Sequence, residues 1–152
     1  MMRDETSLEA VSRIIDSGLP LTSVEFCMDS DLPSDPVAFR FSFEDESFCV
    51  SANGHDDTII VSRDMPNEYA SYPSRAFLML SPPWNGALGA KLIWVWTLEN
   101  QRGYFDGIQL QFEHLDSPPP FSIQMIALAS TLRVFHLAKL DFTRMSQLPE
   151  TS

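Results

Sequence analysis

The stretch Val37-Ala38-Phe39-Arg40-Phe41-Ser42-Phe43 constrains the fold most, because its bulky apolar side chains fall at every second position. Side chains alternate between two faces in extended chain, so this is the period of a half-buried strand. Its surroundings repeat the pattern. Val24–Met28 reads as a strand before it, and Phe48–Ala52 and Thr58–Ser62 as strands after it. The connections are the polar loop Glu44-Asp45-Glu46-Ser47 and the turn-forming Asn53-Gly54-His55-Asp56-Asp57. Short strands joined this tightly predict an antiparallel meander.

A second segment, KLIWVWTLENQRGYFDGIQLQFE at 91–113, predicts a hairpin with a definite register. Asn100-Gln101-Arg102-Gly103 suits a type I turn closed by a left-handed glycine. With Asn100 opposite Tyr104, Trp96 pairs with Ile108, Trp94 with Leu110 and Leu92 with Phe112, while Lys91 meets Glu113 on the other face. That register makes both tryptophans core residues. It also puts Asp106 on the apolar side, either accepting hydrogen bonds from nearby backbone amides or standing with Tyr104 in a ligand pocket.

The clearest helical signal is at the start of the chain. Thr6-Ser7-Leu8-Glu9 matches a capping box, and Leu8, Val11, Ile14 and Ile15 follow at helical spacing until Gly18, which predicts an amphipathic helix over 6–17. Residues 63–90 are broken by Pro66, Pro73, Pro82 and Pro83, with Ala76–Leu80 as one more candidate strand. Trp84 falls there in a loop, either as an anchor tucked onto the core or as a contact residue for a partner. From Phe121 onward, helical spacing of Phe121, Met125, Leu128, Leu132 and Phe135 competes with the β-branched Ile123, Ile126, Thr131 and Val134. Extended chain bent near Ser130 is the expectation, and helix is the alternative. The predicted class is therefore α+β in one domain over 1–152: mostly antiparallel sheet with one N-terminal helix.

Charge narrows the partners. Ten Lys and Arg against twenty-one Asp and Glu give a net charge of −11, with a pI near 4.4. Phosphate-neutralising residues are few, which argues against nucleic acid, and an anionic membrane would repel the same surface. A basic protein would be drawn to it. The acidic start, MMRDETSLEA, has no apolar run behind a basic one, so a cytoplasmic location is expected. Cys27 and Cys49 lack zinc-site spacing and are expected as two buried thiols.

Motifs for chemistry are scarce. His55-Asp56-Asp57 is the only run of adjoining ligand-type side chains, and neighbours in an extended turn diverge, so no metal is expected. His114 and Asp116 could form an acid–base pair, but no nucleophile has a motif around it. Gly86-Ala87-Leu88-Gly89 lacks the lysine and spacing of a phosphate loop. No catalytic residue and no cofactor is assigned.

The run WVWTLENQRGYFDGIQLQF, with HDDTIIVS before it, resembles a pattern in small acidic bacterial proteins of uncharacterised function. In those a tryptophan-rich strand leads through Asn-Gln-x-Gly-Tyr-x-Asp into a strand ending in Gln-x-Phe. The likeness covers about a third of the chain and brings no catalytic residues with it. In size, charge and α+β character the chain is also similar to bacterial immunity proteins, which neutralise a toxin by covering it with an acidic face. The resulting expectation is a non-catalytic protein-binding module, an immunity- or antitoxin-type inhibitor that covers a basic protein partner such as a toxin with acidic loops. Its contacts would be Asp29 and Asp31, Glu44, Asp45 and Glu46, and Asp56 and Asp57, with Trp84 as an anchor. The alternative is a small-ligand or enzymatic domain around Tyr104 and Asp106. A homodimer, paired through an uncovered sheet face or edge, is compatible with either.

Overall fold

In the computed structural model, residues 5–29, 32–70, 74–76, 82–116 and 119–137 are described. The chain opens with helix α1 (Glu5–Ser17) and continues through β1 (Ser23–Asp29), β2 (Leu32–Phe43), β3 (Glu46–Asn53) and β4 (Thr58–Ser62). Two one-turn helices, α2 (Asn67–Ala70) and α3 (Trp84–Ala87), flank the short β5 (Ser74–Ala76). Four further strands follow: β6 (Lys91–Glu99), β7 (Phe105–Glu113), β8 (Phe121–Leu128) and β9 (Thr131–Leu137). The strands form two antiparallel sheets, ordered β4-β3-β2-β1-β5 and β6-β7-β8-β9. The fold is α+β and mostly antiparallel sheet, as the alternation predicts.

The two sheets face one another across a shared core. Phe39 and Phe41 on β2 point into it, opposite Val50 and Phe48 on β3. Leu92, Ile108, Leu110, Phe112, Ile123 and Met125 come from the four-stranded sheet. Trp84 is 2% exposed and lies between them, its ring centroid 5.3 Å from that of Phe39 and 5.2 Å from that of Phe41. The tryptophan that follows Pro82-Pro83 is thus the core anchor of its two readings, in a helical turn rather than a loop, and its ring is not available as a surface contact.

Helix α1 packs against β3 and β4 of one sheet and β6 of the other, burying Ala10, Val11 and Ile14. Its end is set by Gly18, which takes a φ of 66° that side chains with a Cβ rarely adopt and donates its amide to the carbonyl of Ile15. The capping box expected at Thr6 lies among side chains outside the described set, whereas the Glu9 side chain is exposed. After the helix, Leu21 ties the two sheets together by exchanging backbone hydrogen bonds with Gly89 and Ala90 just before β6.

Three expectations change in detail. The connection after Phe43 is a two-residue turn, Glu44-Asp45, and the strand resumes at Glu46 in register with Phe43. The candidate strand after Ala76 lies outside the described residues apart from Ala76 itself. Over its described residues, to Leu137, the last segment is extended, and β8 and β9 form a hairpin around Ala129-Ser130, both at positive φ. Its helical spacing reflects an abundance of apolar residues, since nearly every second position there faces the core.

Candidate functional site

The 91–113 hairpin closes where the sequence predicts and pairs differently beyond that point. Asn100 donates its amide to Tyr104 O and accepts that of Gly103, which sits at a φ of 82°, while Asn100 Oδ1 takes the amides of Arg102 and Tyr104. Lys91 pairs with Glu113 and Leu92 with Phe112, as expected. Between them and the turn, however, two bulges intervene. Ile93 is left over on β6 and Asp106 on β7, so Trp94 pairs with Gln111, Val95 with Leu110, Trp96 with Gln109 and Leu98 with Gly107. One extra residue flips everything beyond it to the opposite face.

The tryptophans are therefore not core. Val95 and Thr97 turn inward, while Trp94 and Trp96 turn outward and are 56% and 39% exposed. Their rings lie 6.2 Å apart at an interplanar angle of 53°. Residues paired across antiparallel strands share a face, so the outer surface of this sheet can be read row by row. One row runs Trp96, Gln109, Gln124, Phe135, and a second runs Trp94, Gln111, Ser122, Leu137. A third runs Leu98, Gly107, Ile126, Arg133. Phe135 is 46% exposed, and Gln124 donates an amide hydrogen to Gln109 Oε1 at 3.2 Å. No carboxylate stands in these three rows, in a chain of net charge −11. The two central rows are aromatic and amide-bearing, flanked by Arg133 on one side and the Lys91–Glu113 pair on the other.

Beside it lies a groove of about 440 Å³ between α1 and β6. Leu8, Val11 and Ile15 form its helical wall, Val95 and Thr97 its strand wall, and Ser12, Asp16 and Trp94 its rim. Trp94 belongs to both features and joins them.

The acidic loops do not converge. Glu44 and Asp45 are exposed at one end of β3, and Asp56 and Asp57 lie at its other end, roughly 20 Å away at about 3.3 Å per residue. Glu46 pairs with Arg13 at 3.5 Å. Asp56 accepts from both the amide and the hydroxyl of Thr58, and Asp57 accepts the amide of Ser130 at 2.7 Å. Three of these five carboxylates thus bond within the chain. Asp29 ends β1, its side chain lies outside the described set, and Asp31 lies outside the described residues.

The alternative pocket has a different outcome. Asp106 is the bulged residue and accepts a hydrogen bond from Asn100 Nδ2 at 3.2 Å, a side-chain amide rather than a backbone one. Tyr104 is 47% exposed at the hairpin end, and neither residue lines the groove. His114 Nε2 lies 2.6 Å from Gly86 O, and its ring stacks on Phe121, which commits it to tying β7 to the α3 turn. Among the described residues no three His, Cys, Asp or Glu side chains gather as metal ligands. Cys27 and Cys49 are buried thiols, not joined in a disulfide. Burial pushes the Cys49 thiol above its ordinary range, against the opposing pull of the Arg40 guanidinium that hydrogen-bonds it, so it is a poor nucleophile at neutral pH. No described helix is long and apolar enough to cross a membrane.

The chain belongs to a family of unknown function, DUF6334. The match spans residues 9–141, from within α1 to beyond β9. In this chain the matched span therefore contains both sheets, α1 from Glu9 onward and every groove-lining residue except Leu8. This agrees with the sequence's likeness to an uncharacterised family. No curated protein and no solved structure matches the chain.

Proposed function

We propose that this DUF6334 member is a non-catalytic protein-binding module that holds a basic protein against the outer face of its four-stranded sheet. The observation that carries the reading is the exposed pair Trp94 and Trp96, set side by side on the outer face of the sheet, with Arg133 and the Lys91–Glu113 pair in the rows that flank them. Tryptophan is the residue most enriched among those that dominate binding energy, and interfaces place such residues centrally inside a polar rim. A solvent-facing sheet ordinarily alternates apolar-in with polar-out, so two exposed indoles break a rule that only an occupant would repair.

The carboxylates have a different task from the one their loops suggest. Spread over two ends of the molecule, they act by field rather than by contact, drawing in a partner of opposite charge. Occlusion of a basic toxin, in the manner of an immunity protein, is the concrete form of this reading that charge and size support.

The test is affinity capture from the native host, followed by reconstitution of the purified pair. Trp94→Ala and Trp96→Ala should each cost about 2 kcal/mol of binding, roughly thirtyfold in Kd, with unchanged melting temperature. A partner that binds both variants as tightly as the wild type would overturn the reading.

A further inference from the structure

We infer that the groove between α1 and β6 is an arginine-binding site, which seats a guanidinium side chain of the partner between the Trp94 indole and the Asp16 carboxylate. The inference deepens the reading above and rests on it for the partner's being a protein.

Four observations meet at this place. The walls are apolar, from Leu8, Val11 and Ile15 on one side and Val95 on the other, which suits the methylene stem of a long side chain. Trp94 offers an exposed indole at the rim, and arginine stacks on such a face by cation–π attraction and planar contact. Asp16 lines the same groove and can take the guanidinium in a charge-assisted, two-pronged hydrogen bond. Finally, Asp16 stands in the last turn of α1, where the helix carries partial negative charge and where this chain places no basic residue.

That last point separates the site from an ordinary surface carboxylate. A carboxylate at a helix C-terminus is unfavourable for the helix alone, and among the described residues Asp16 has no basic partner. The nearest arginine along the helix, Arg13, is drawn away to Glu46 at 3.5 Å. A cation entering the groove meets the carboxylate and the helix end together. The volume of about 440 Å³ is ample for one side chain and lies toward the lower end of ligand pockets, which run from about 300 to 1,000 Å³. Lysine is the weaker occupant, since its ammonium is a compact, strongly hydrated charge that neither stacks flat on an indole nor pairs two-pronged with a carboxylate.

The experiment uses three probes, acetyl-Gly-Arg-Gly-amide and its lysine and citrulline counterparts, titrated into the full chain while side-chain resonances are followed. The arginine peptide should shift the Trp94 indole N–H and the methyl groups of Val11, Ile15 and Val95 in one saturable curve. Lysine should bind at least threefold more weakly, and citrulline, which has the shape without the charge, should not saturate. Asp16→Asn should weaken the arginine peptide at least fivefold, and Trp94→Leu should abolish the methyl response. Both positions are at the surface, and amide dispersion verifies that each variant is folded. Shifts spread evenly over the molecule, including Glu44 and Asp45, and indifferent to Asp16→Asn would overturn the site, as would the lack of any saturable shift. The two readings fail separately. A partner lost on Trp96→Ala but unaffected by Asp16→Asn sinks the arginine site alone, whereas an arginine peptide that seats while no protein partner depends on Trp96 sinks the functional reading alone.

Discussion

Asp57 Oδ1 accepts the amide of Ser130 at 2.7 Å, so a carboxylate in the β3–β4 turn of one sheet holds the β8–β9 turn of the other. The Ser130 hydroxyl completes the strut by donating to Gly54 O at 3.2 Å. The held turn needs help, because Ala129 and Ser130 sit at φ of 51° and 66°, a region that costs residues other than glycine roughly 1–2 kcal/mol each. Asp57→Ala should therefore lower the unfolding free energy by about 1–3 kcal/mol, the cost of leaving a part-buried donor unmet. Asp57→Asn, which keeps an accepting oxygen and tolerates the φ of 53° at this position, should lose less than half of that. Urea unfolding of the two variants checks both figures, and equal losses would mean that the charge, rather than the hydrogen bond, is what matters.

Among elements, the row Leu98, Gly107, Ile126 shows how tightly the outer face is built where it is not aromatic. A Cβ added at Gly107 would meet Ile126 Cδ1 at 2.7 Å and the Leu98 side chain at 3.0 Å, so those two side chains close over the glycine. Gly107→Ala should destabilise by about 1–3 kcal/mol through overpacking. Adding Ile126→Val, which deletes the offending methyl, should restore half or more, a coupling that thermal melts of the single and double variants would read. This row also marks the limit of what the sequence discloses. The turn at Asn100–Gly103 was legible because its geometry depends on local residues, and the β7 alternation of Ile108, Leu110 and Phe112 correctly named the inward face. The parity of β6 was not legible. Both of its alternating sets are largely apolar, Val95 and Thr97 against Trp94, Trp96 and Leu98, and hydrophobicity alone favours burying the indoles. A single bulged residue, Ile93, settles the matter the other way, and a bulge is a property of the pairing that leaves little trace in one strand's composition. The unbroken apolar run Leu92–Trp96, where alternation lapses, is the trace it does leave. The groove was hidden for the same reason, since its strand wall depends on the shifted parity.

At the scale of the whole molecule, two features oppose each other: a net charge of −11 at pH 7 that keeps copies apart, and an exposed aromatic pair on one sheet face that would bring them together. Like-charged proteins repel most strongly at low salt, within a Debye length of about 10 Å at 0.1 M. Removing the repulsion should therefore expose the adhesion. As the pH falls toward the pI near 4.4 the carboxylates take up protons and the net charge vanishes, so the protein should pass from single molecules to associated species. Any protein loses solubility near its pI, so the informative comparison is Trp94→Ser/Trp96→Ser, which has the same charge at every pH. Light scattering should show the double variant associating several-fold less than the wild type at pH 4.4, with the two alike at pH 7 in low salt. In 0.5 M salt at pH 7, where screening replaces protonation, the same ordering should hold. Indistinguishable curves for the two proteins would mean that the indole face is not the adhesive surface, and the case for an occupant on it would lose its physical basis. A discrete dimer of the wild type at pH 7, abolished by the double variant, would instead identify that occupant as a second copy of this chain rather than a basic partner.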